Sequence, residues 1–334
     1  TDFSGLTGLM KLVEVLSGGQ PGNGGGPAGR VAVIHVVGEI VEGKGSVGMF
    51  GGEAAGSETI VKAIRTATED DTVAALVIRI DSPGGSALAS DLIWRELQRC
   101  EKPVVASLSD TAASGGYYIA VAADRIVAAP GTLTGSIGVV GGKIAVGGAL
   151  EAYGIHTDVV SRGRNAGWLS AQRPFDKHER EAFFATMQDI YRLFTSKVAA
   201  GRQLDLEQLE TLAEGRVFTG RMAQRVGLVD LLGTLDDAVD EAMRLAGIES
   251  TDAPERLLLP EPRGLFDEFL GVDVDQPSPT AGLQSQLVAA ATRLIDARGL
   301  NDQLLSRLAS HCRLLAIVGS GEPQLLLPAV VRVR

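Results

Sequence analysis

Three glycine-rich stretches follow predicted strands and carry hydroxyl side chains suited to catalysis. The stretches are Asp81-Ser82-Pro83-Gly84-Gly85-Ser86, Ala112-Ala113-Ser114-Gly115-Gly116-Tyr117-Tyr118 and Thr132-Leu133-Thr134-Gly135-Ser136-Ile137-Gly138-Val139. Small residues on both sides of Ser114 leave its hydroxyl accessible to a substrate carbonyl. The N–H of Gly115 and the positive end of a helix could stabilise a developing oxyanion there. The second stretch therefore indicates acyl-transfer chemistry.

Each stretch taken alone also fits a plain strand-to-helix turn. Ser86 and Ser114 would then be helix N-caps, and the hydroxyls around Ser136 would only stabilise a turn. Neither GxxxxGK[ST] nor GxGxxG is present, which argues against a phosphate-binding loop, and no GxSxG elbow occurs. The first two glycine-bearing turns are 30 residues apart on successive strands, so neighbouring turns could hold donors on both sides of one carbonyl oxygen.

The elements that position these turns alternate between strand and helix. Continuous apolar runs predict buried strands at 30–38, 73–81, 103–109 and 124–130. Strand-like residues predict a further strand at 157–161. Helices are predicted between and after them, at 57–67 with Ser57 as cap, 86–99, 114–123 and 176–200. Repeated β-α units predict an α/β fold with a parallel sheet, and ligands bind such sheets at the carboxyl ends of the strands.

Composition divides the chain into three parts. Residues 1–29 read as a short amphipathic helix and a Gly/Pro-rich linker, and residues 30–250 as a compact domain. Residues 251–334 form an extension of uncertain structure, with a helix-like stretch at 283–316. No uninterrupted apolar run reaches 18 residues, which gives no transmembrane candidate.

Charge and cysteine content narrow the function classes. The net charge of −10 at pH 7 argues against a protein that binds nucleic-acid backbones, because such proteins carry a basic face. Cys100 and Cys312 are the two cysteines, too few for a disulfide framework or a four-cysteine zinc site. We expect no metal and no cofactor.

The three stretches together resemble the signal peptide peptidase A (protease IV) family of Ser/Lys peptidases. DSPGGS, AASGGYY and TLTGSIGVV occur in the order and at the spacing of that family. The resemblance continues through 154–158, 217–220 and 227–230, and so covers about residues 30–248. It implies a ClpP/crotonase-like spiral core of βα units, assembled as a bowl-shaped homo-oligomer, which is a tetramer in the long form of the family.

The resemblance also implies roles for individual residues. Ser114 is similar to the nucleophile, and Gly85 and Gly115 are similar to the backbone donors of the oxyanion hole. Ser136 is similar to the hydroxyl that orients the catalytic lysine. The family cleaves remnant signal peptides and other membrane-derived peptides, and binds them as added strands without a metal or cofactor.

The general base departs from the pattern of the short family form. In that form the lysine follows the segment matched by 156–161, but residues 161–170 contain no lysine. Arginine stays protonated and cannot replace it. The long form has two homologous halves, with the lysine in the first and the serine in the second. Because residues 161–170 lack that lysine, we expect this chain to be a serine-bearing second half whose lysine lies on a missing N-terminal half, and a first residue of Thr1 rather than Met agrees with this expectation.

Internal lysines are weaker candidates for the base. Lys143 follows the third stretch closely, and Lys177 begins the long helix, where the positive helix end would lower its pKa. Lys197 is predicted to face solvent. The alternative function is a catalytically inactive crotonase-like scaffold or an enzyme of the acyl-CoA type. By resemblance, the expected location is at a bacterial cell membrane, on its extracytoplasmic side.

Overall fold

The computed structural model describes residues 29–45, 54–248 and 254–260, and the backbone of 324–326. These residues belong to one compact unit. The strands are β1 (Arg30–Val37), β2 (Glu39–Val41), β3 (Ala54–Gly56), β4 (Val73–Ser82), β5 (Gly84–Ser86), β6 (Val104–Ala113), β7 (Arg125–Ala128), β8 (Leu133–Gly135), β9 (Val217–Thr219), β10 (Leu231–Leu232), β11 (Arg256–Leu259) and β12 (Gln324–Leu326). The helices are α1 (Ser57–Glu69), α2 (Ala87–Leu97), α3 (Gly115–Ala120), α4 (Gly147–Ala152), α5 (Lys177–Arg202), α6 (Leu206–Leu212), α7 (Gly220–Arg225) and α8 (Leu235–Leu245).

The central sheet follows the order β10-β7-β6-β4-β1-β11, and all of these neighbours pair in parallel. Strand β8 adds to the far end of β6 in parallel and pairs with β9 in antiparallel. A second sheet has the order β12-β5-β2-β3. Repeated βα units around a parallel sheet confirm the predicted α/β class, with the first two glycine-rich turns at the carboxyl ends of β4 and β6.

Strand β1 explains why the predicted apolar runs become central strands. Its alternate residues Ala32 and Ile34 enter the larger core cluster on one face. Val31 and Val33 enter the smaller cluster on the other face, where α8 packs. All four side chains are fully buried. A strand covered on both faces needs apolar residues at every position, which is the pattern that the sequence carries.

Most predicted elements are present, with shifted ends. Strand β6 is longer than predicted because its second part pairs with β8 after its first part pairs with β7. Ser86 caps α2 as predicted, with its Oγ accepting from the Ala89 N–H at 3.2 Å. The predicted cap at Ser57 is wrong, because Gly56 occupies the N-cap and makes no side-chain hydrogen bond.

The predicted strand at 157–161 is absent. Residues 155–162 are exposed and carry no strand, because none of the described strands pairs with them. The short strands β11 and β12 were not predicted. The predicted N-terminal helix and the helix-like stretch at 283–316 lie outside the described residues. Within the described part of the chain, no helix combines the length and apolarity needed to cross a bilayer.

Candidate active site

Ser114 lies between β6 and α3 with a backbone conformation that L-residues rarely adopt, φ 54° and ψ −114°. Its N–H donates to the Gly135 carbonyl at 2.8 Å, and its carbonyl accepts from the Tyr118 N–H at 2.8 Å. The Oγ is buried and has no hydrogen-bond partner within the described residues. Buried hydroxyls are nearly always hydrogen-bonded, so an unpaired one indicates a functional position.

Ser136 occupies the equivalent position on the neighbouring strand. Gly135, the last residue of β8, lies opposite Ala113, the last residue of β6, so Ser136 and Ser114 both follow that aligned pair. Ser136 is also buried and has a positive φ of 51°, and its N–H donates to the Arg216 carbonyl at 2.7 Å. The structure therefore brings the two predicted serines together.

The third stretch also contains hydroxyls that are purely structural. Thr132 Oγ1 donates to the Ser109 carbonyl at 2.7 Å, and Thr134 Oγ1 donates to the Ala112 carbonyl at 2.7 Å. Both bonds attach this segment to β6. The turn-stabilising interpretation therefore holds for the two threonines, and their bonds help to hold Ser136 beside the end of β6.

Gly85 and Gly115 lie against each other, and Gly115 directly follows Ser114 in the chain. A Cβ placed on Gly115 would lie 3.2 Å from the Gly85 nitrogen and 2.6 Å from Ser90 Oγ. Gly85 has φ 154°, and a Cβ there would lie 2.0 Å from the Ile40 carbonyl oxygen. Glycine is thus required at both positions. The two backbone N–H groups that the sequence singles out as oxyanion donors belong to adjacent residues in space.

The edge of β5 is paired with another segment of the chain. Strand β12 runs antiparallel to β5, with Leu325 opposite Gly85 and Gln324 opposite Ser86. On its other side β5 pairs with β2, through Gly85 and Ile40. The edge of β5 that faces β12 therefore pairs with an extended backbone segment, and it includes Gly85, a candidate oxyanion donor.

Neither of the two lysines considered as internal bases is hydrogen-bonded to Ser114 Oγ. The Lys143 ammonium donates to the Trp168 carbonyl at 2.6 Å and lies 4.3 Å from the centre of the Phe175 ring. Burial lowers the pKa of Lys143. Lys177 is exposed at the first position of α5. Neither of them contacts Ser114 Oγ, which has no hydrogen-bond partner within the described residues.

The predicted exposure of Lys197 is wrong. Its side chain is 9% exposed, forms an ion pair with Asp91 on α2 and lies over the Trp94 ring at 3.4 Å from its centre. A signal was available in the sequence, because Lys197 is seven residues after Ile190 and three after Phe194, next to the apolar face of α5. Sequence reasoning also missed Ser90 and Asp91, which lie on α2 behind the glycine pair.

No group of three or more His, Cys, Asp or Glu side chains in the described ranges is arranged to hold a metal ion. The described geometry places a serine hydroxyl at a strand end, next to a pair of contacting glycines whose N–H groups are candidate oxyanion donors. Such an arrangement can attack a carbonyl and stabilise the resulting oxyanion once a base removes the hydroxyl proton.

Comparisons with known proteins agree with this chemistry. The model of peptidase family S49 matches residues 96–249. The chain is 37% identical over 303 residues to the chloroplast serine protease SPPA of Arabidopsis thaliana, covering 86% of this chain and 43% of that protein. It is 40% identical over 224 residues to protease 4 of Salmonella typhi, covering 66% and 35%. The chain thus spans about two fifths of the length of these curated relatives.

A relative of similar length also matches. A candidate protease of Synechocystis sp. is 37% identical over 246 residues, covering 73% of this chain and 84% of that protein. Among solved structures, a ClpP1 mutant of Listeria monocytogenes aligns with 64% of this chain and 94% of its own, at a TM-score of 0.39 and 14% identity. On the strength of the sequence relatives, the chain belongs to peptidase family S49, the signal peptide peptidase A (protease IV) family.

Proposed function

We propose that this chain supplies the nucleophile and the oxyanion hole of a serine peptidase that cleaves extended apolar peptides. The observation that carries the proposal is the buried Oγ of Ser114, which has no partner in the described chain and lies beside Gly115 and, through it, Gly85. Membership of peptidase family S49 supports the reaction class.

The proposed reaction begins when a neutral lysine amine takes the proton of Ser114 Oγ. The Oγ then attacks the scissile carbonyl, and the N–H groups of Gly85 and Gly115 donate to the oxyanion that forms. Collapse of this intermediate breaks the C–N bond, and the lysine returns the proton to the leaving amine. Water, deprotonated by the same amine, then hydrolyses the acyl-enzyme. Ser136 holds the lysine in line with Ser114.

The base is proposed to come from an N-terminal homologous half. Two findings support this origin: Ser114 Oγ has no partner in the described residues, and the relatives in Arabidopsis and Salmonella are more than twice as long as their match to this chain. The exposed apolar side chains Ile155, Val159 and Val160 give such a half, or a second copy, a surface to pack against. A bowl-shaped homo-oligomer would bring such surfaces together.

The substrate class is proposed from the edge of β5. A peptide that pairs there as β12 does would place its backbone beside Gly85, which is strand-addition recognition. One relative, 31% identical, is named as a signal peptide peptidase of Enterococcus faecium, which supports remnant signal peptides as substrates and a membrane-associated location.

Residues 30–250 would form the peptidase domain, with 1–29 as a linker and 251–334 as an extension.

A fluorophosphonate probe tests the proposal, because it labels only an activated serine. In the assembled enzyme, with the lysine-bearing half present, the parent should be labelled and should cleave an apolar peptide. Ser114→Ala should abolish both the labelling and the peptide cleavage, with turnover below about a thousandth of the parent value. Ser107→Ala is the matched control, because Ser107 is similarly buried and lies on β6, the strand that Ser114 follows. Labelling that survives in Ser114→Ala would show that the nucleophile is another serine, and a parent that is not labelled would favour the inactive-scaffold or acyl-CoA alternative.

A further inference from the structure

Tyr117 and Tyr118 follow Ser114 on the short helix α3, and the proposed reaction uses neither of them. Both side chains are fully buried, yet their hydroxyls bind to different parts of the molecule. Tyr117 Oη donates to the Leu228 carbonyl at 2.7 Å. Tyr118 Oη donates to Asp91 Oδ1 on α2, also at 2.7 Å. Of these two bonds, the one between Tyr118 and Asp91 joins α3 to α2, the helices next to the candidate donors Gly115 and Gly85.

Helix α2 begins directly after β5, which carries Gly85, and α3 begins with Gly115. Between them, Ser90 Oγ donates to the Ser86 carbonyl at 2.8 Å and lies against Gly115. Asp91 is the next residue on α2. Its hydrogen bond with Tyr118 lies about one helical turn beyond the first residues of α2 and α3. A change in the Asp91–Tyr118 bond would therefore change the separation of α2 and α3 at their first turns.

Asp91 has the partners that an ionised acceptor needs in this position. Its carboxylate accepts from Lys197 on α5, from Arg95 on its own helix and from Tyr118. Burial opposes ionisation of Asp91, but the hydrogen bonds from these three side chains outweigh it and lower the pKa of the carboxyl. Lys197 also lies over the Trp94 ring, so α5 is held against α2.

We propose that Asp91 and Tyr118 are positioning residues that set the distance between the backbone donors of Gly85 and Gly115, with the ion pair to Lys197 holding the Asp91 carboxylate in place. The inference rests on the proposed peptidase function for its catalytic consequence. Because displacement of catalytic groups by about 1 Å costs up to about 100-fold in rate, loss of this bond should act mainly on kcat. The ground-state pairing of a peptide with β5 should be unaffected, so KM should stay the same.

The test compares Tyr118→Phe with Tyr117→Phe in the assembled enzyme. Each variant removes one buried hydroxyl from the same helix, and Tyr118→Phe keeps the ring contact with Phe194 at 4.9 Å between centroids. We expect kcat to fall about 10- to 100-fold in Tyr118→Phe at unchanged KM, and to stay within about twofold of the parent in Tyr117→Phe. Equal kcat values in the two variants would overturn the inference.

A second measurement does not depend on peptide hydrolysis. Amide hydrogen exchange of the full chain should accelerate in the segments that contain Gly85 and Gly115 for Tyr118→Phe, and in neither segment for Tyr117→Phe. If Ser114→Ala retained the activity of the parent, the proposed function would fail and the exchange comparison alone would decide the inference. Unchanged exchange at both glycines in Tyr118→Phe would reject it.

Discussion

Gly115 has space for a hydrogen atom and for little else. A methyl group there would lie 2.6 Å from Ser90 Oγ, which is a clash, and 3.2 Å from the Gly85 nitrogen, between the two proposed donors. Proline at Gly85 would remove that donor directly, but φ 154° is incompatible with proline. Substitutions at Gly115 and Ser90 therefore test the oxyanion hole more cleanly.

Gly115→Ala should destabilise the protein and lower kcat. In the double variant Ser90→Ala/Gly115→Ala the clash with the hydroxyl is gone, so the melting temperature should return close to that of Ser90→Ala alone. The value of kcat should stay about 100-fold lower, because the added Cβ still lies 3.2 Å from the Gly85 nitrogen and obstructs that proposed donor, and loss of one oxyanion donor has an effect of this order. Thermal melts and steady-state kinetics on the four proteins give this comparison. Recovery of kcat together with stability would show that Gly115 serves packing alone.

At the level of single residues, the sequence predicts where the candidate site residues lie better than it predicts the contacts that support them. The three turns have residue types and spacing that bring Ser114, Ser136 and the two glycines to one place, and the structure places them there. The long-range partners of Asp91 and Tyr118 could not be predicted, because a hydrogen bond between two helices depends on their packing angle rather than on local pattern. Lys197 was misassigned because a charged side chain at the margin of an apolar face can turn either way.

Helix α5 begins with a capping box that includes a fully buried carboxylate. Asp176 Oδ1 accepts from the Glu179 N–H at 2.8 Å, and Glu179 accepts from the Asp176 N–H at 3.0 Å. The Arg173 guanidinium makes two further bonds to Glu179, at 2.6 and 2.7 Å. The bonds from Arg173, followed by the one from Asp176, lower the pKa of Glu179 to about 2. The start of α5 therefore depends on ionised Glu179.

Acid should weaken this helix start through Glu179. The unfolded glutamate titrates near pH 4.3, so its stabilising contribution is complete above that pH and is lost as the pH falls towards about 2. Glu179→Gln should lower the free energy of unfolding at pH 7 and make its fall between about pH 4.3 and 2 shallower. Denaturant unfolding at a series of pH values measures both effects. The control is Glu181→Gln, exposed on the same helix, and curves for Glu179→Gln and parent that stay parallel would contradict the assignment.

Elements with continuous apolar runs were predictable, and those defined by pairing alone were not. Strands β1 and β4 and the first part of β6 are buried on both faces, so their sequences carry the signal there. Strand β8 has three residues and exists because it pairs with β6 and β9. Residues 157–161 have strand-like composition without a strand to pair with among the described elements. Their side chains are consequently exposed.

For the molecule as a whole, the proposed division of the active site predicts complementation. The 334-residue chain alone should hydrolyse peptides poorly, because Ser114 Oγ has no partner among the described residues and the proposed base lies on the other half. Adding the lysine-bearing half should restore hydrolysis, and a Lys→Ala change on that half should remove it again. Lys143→Ala and Lys177→Ala in this chain should leave the restored rate unchanged. If the chain alone cleaves peptides efficiently, and either of these two substitutions stops that cleavage, the base is internal.

The positive φ angles of Ser114 and Ser136 have a consequence for protein engineering. At 54° and 51°, each serine holds a backbone conformation that costs an L-residue about 1–3 kcal/mol and costs glycine little. Glycine at either position would relieve that cost while deleting a hydroxyl that the proposed reaction needs. A selection of this chain for thermal stability alone would therefore enrich inactive variants, so such a selection has to be coupled to a measurement of catalysis.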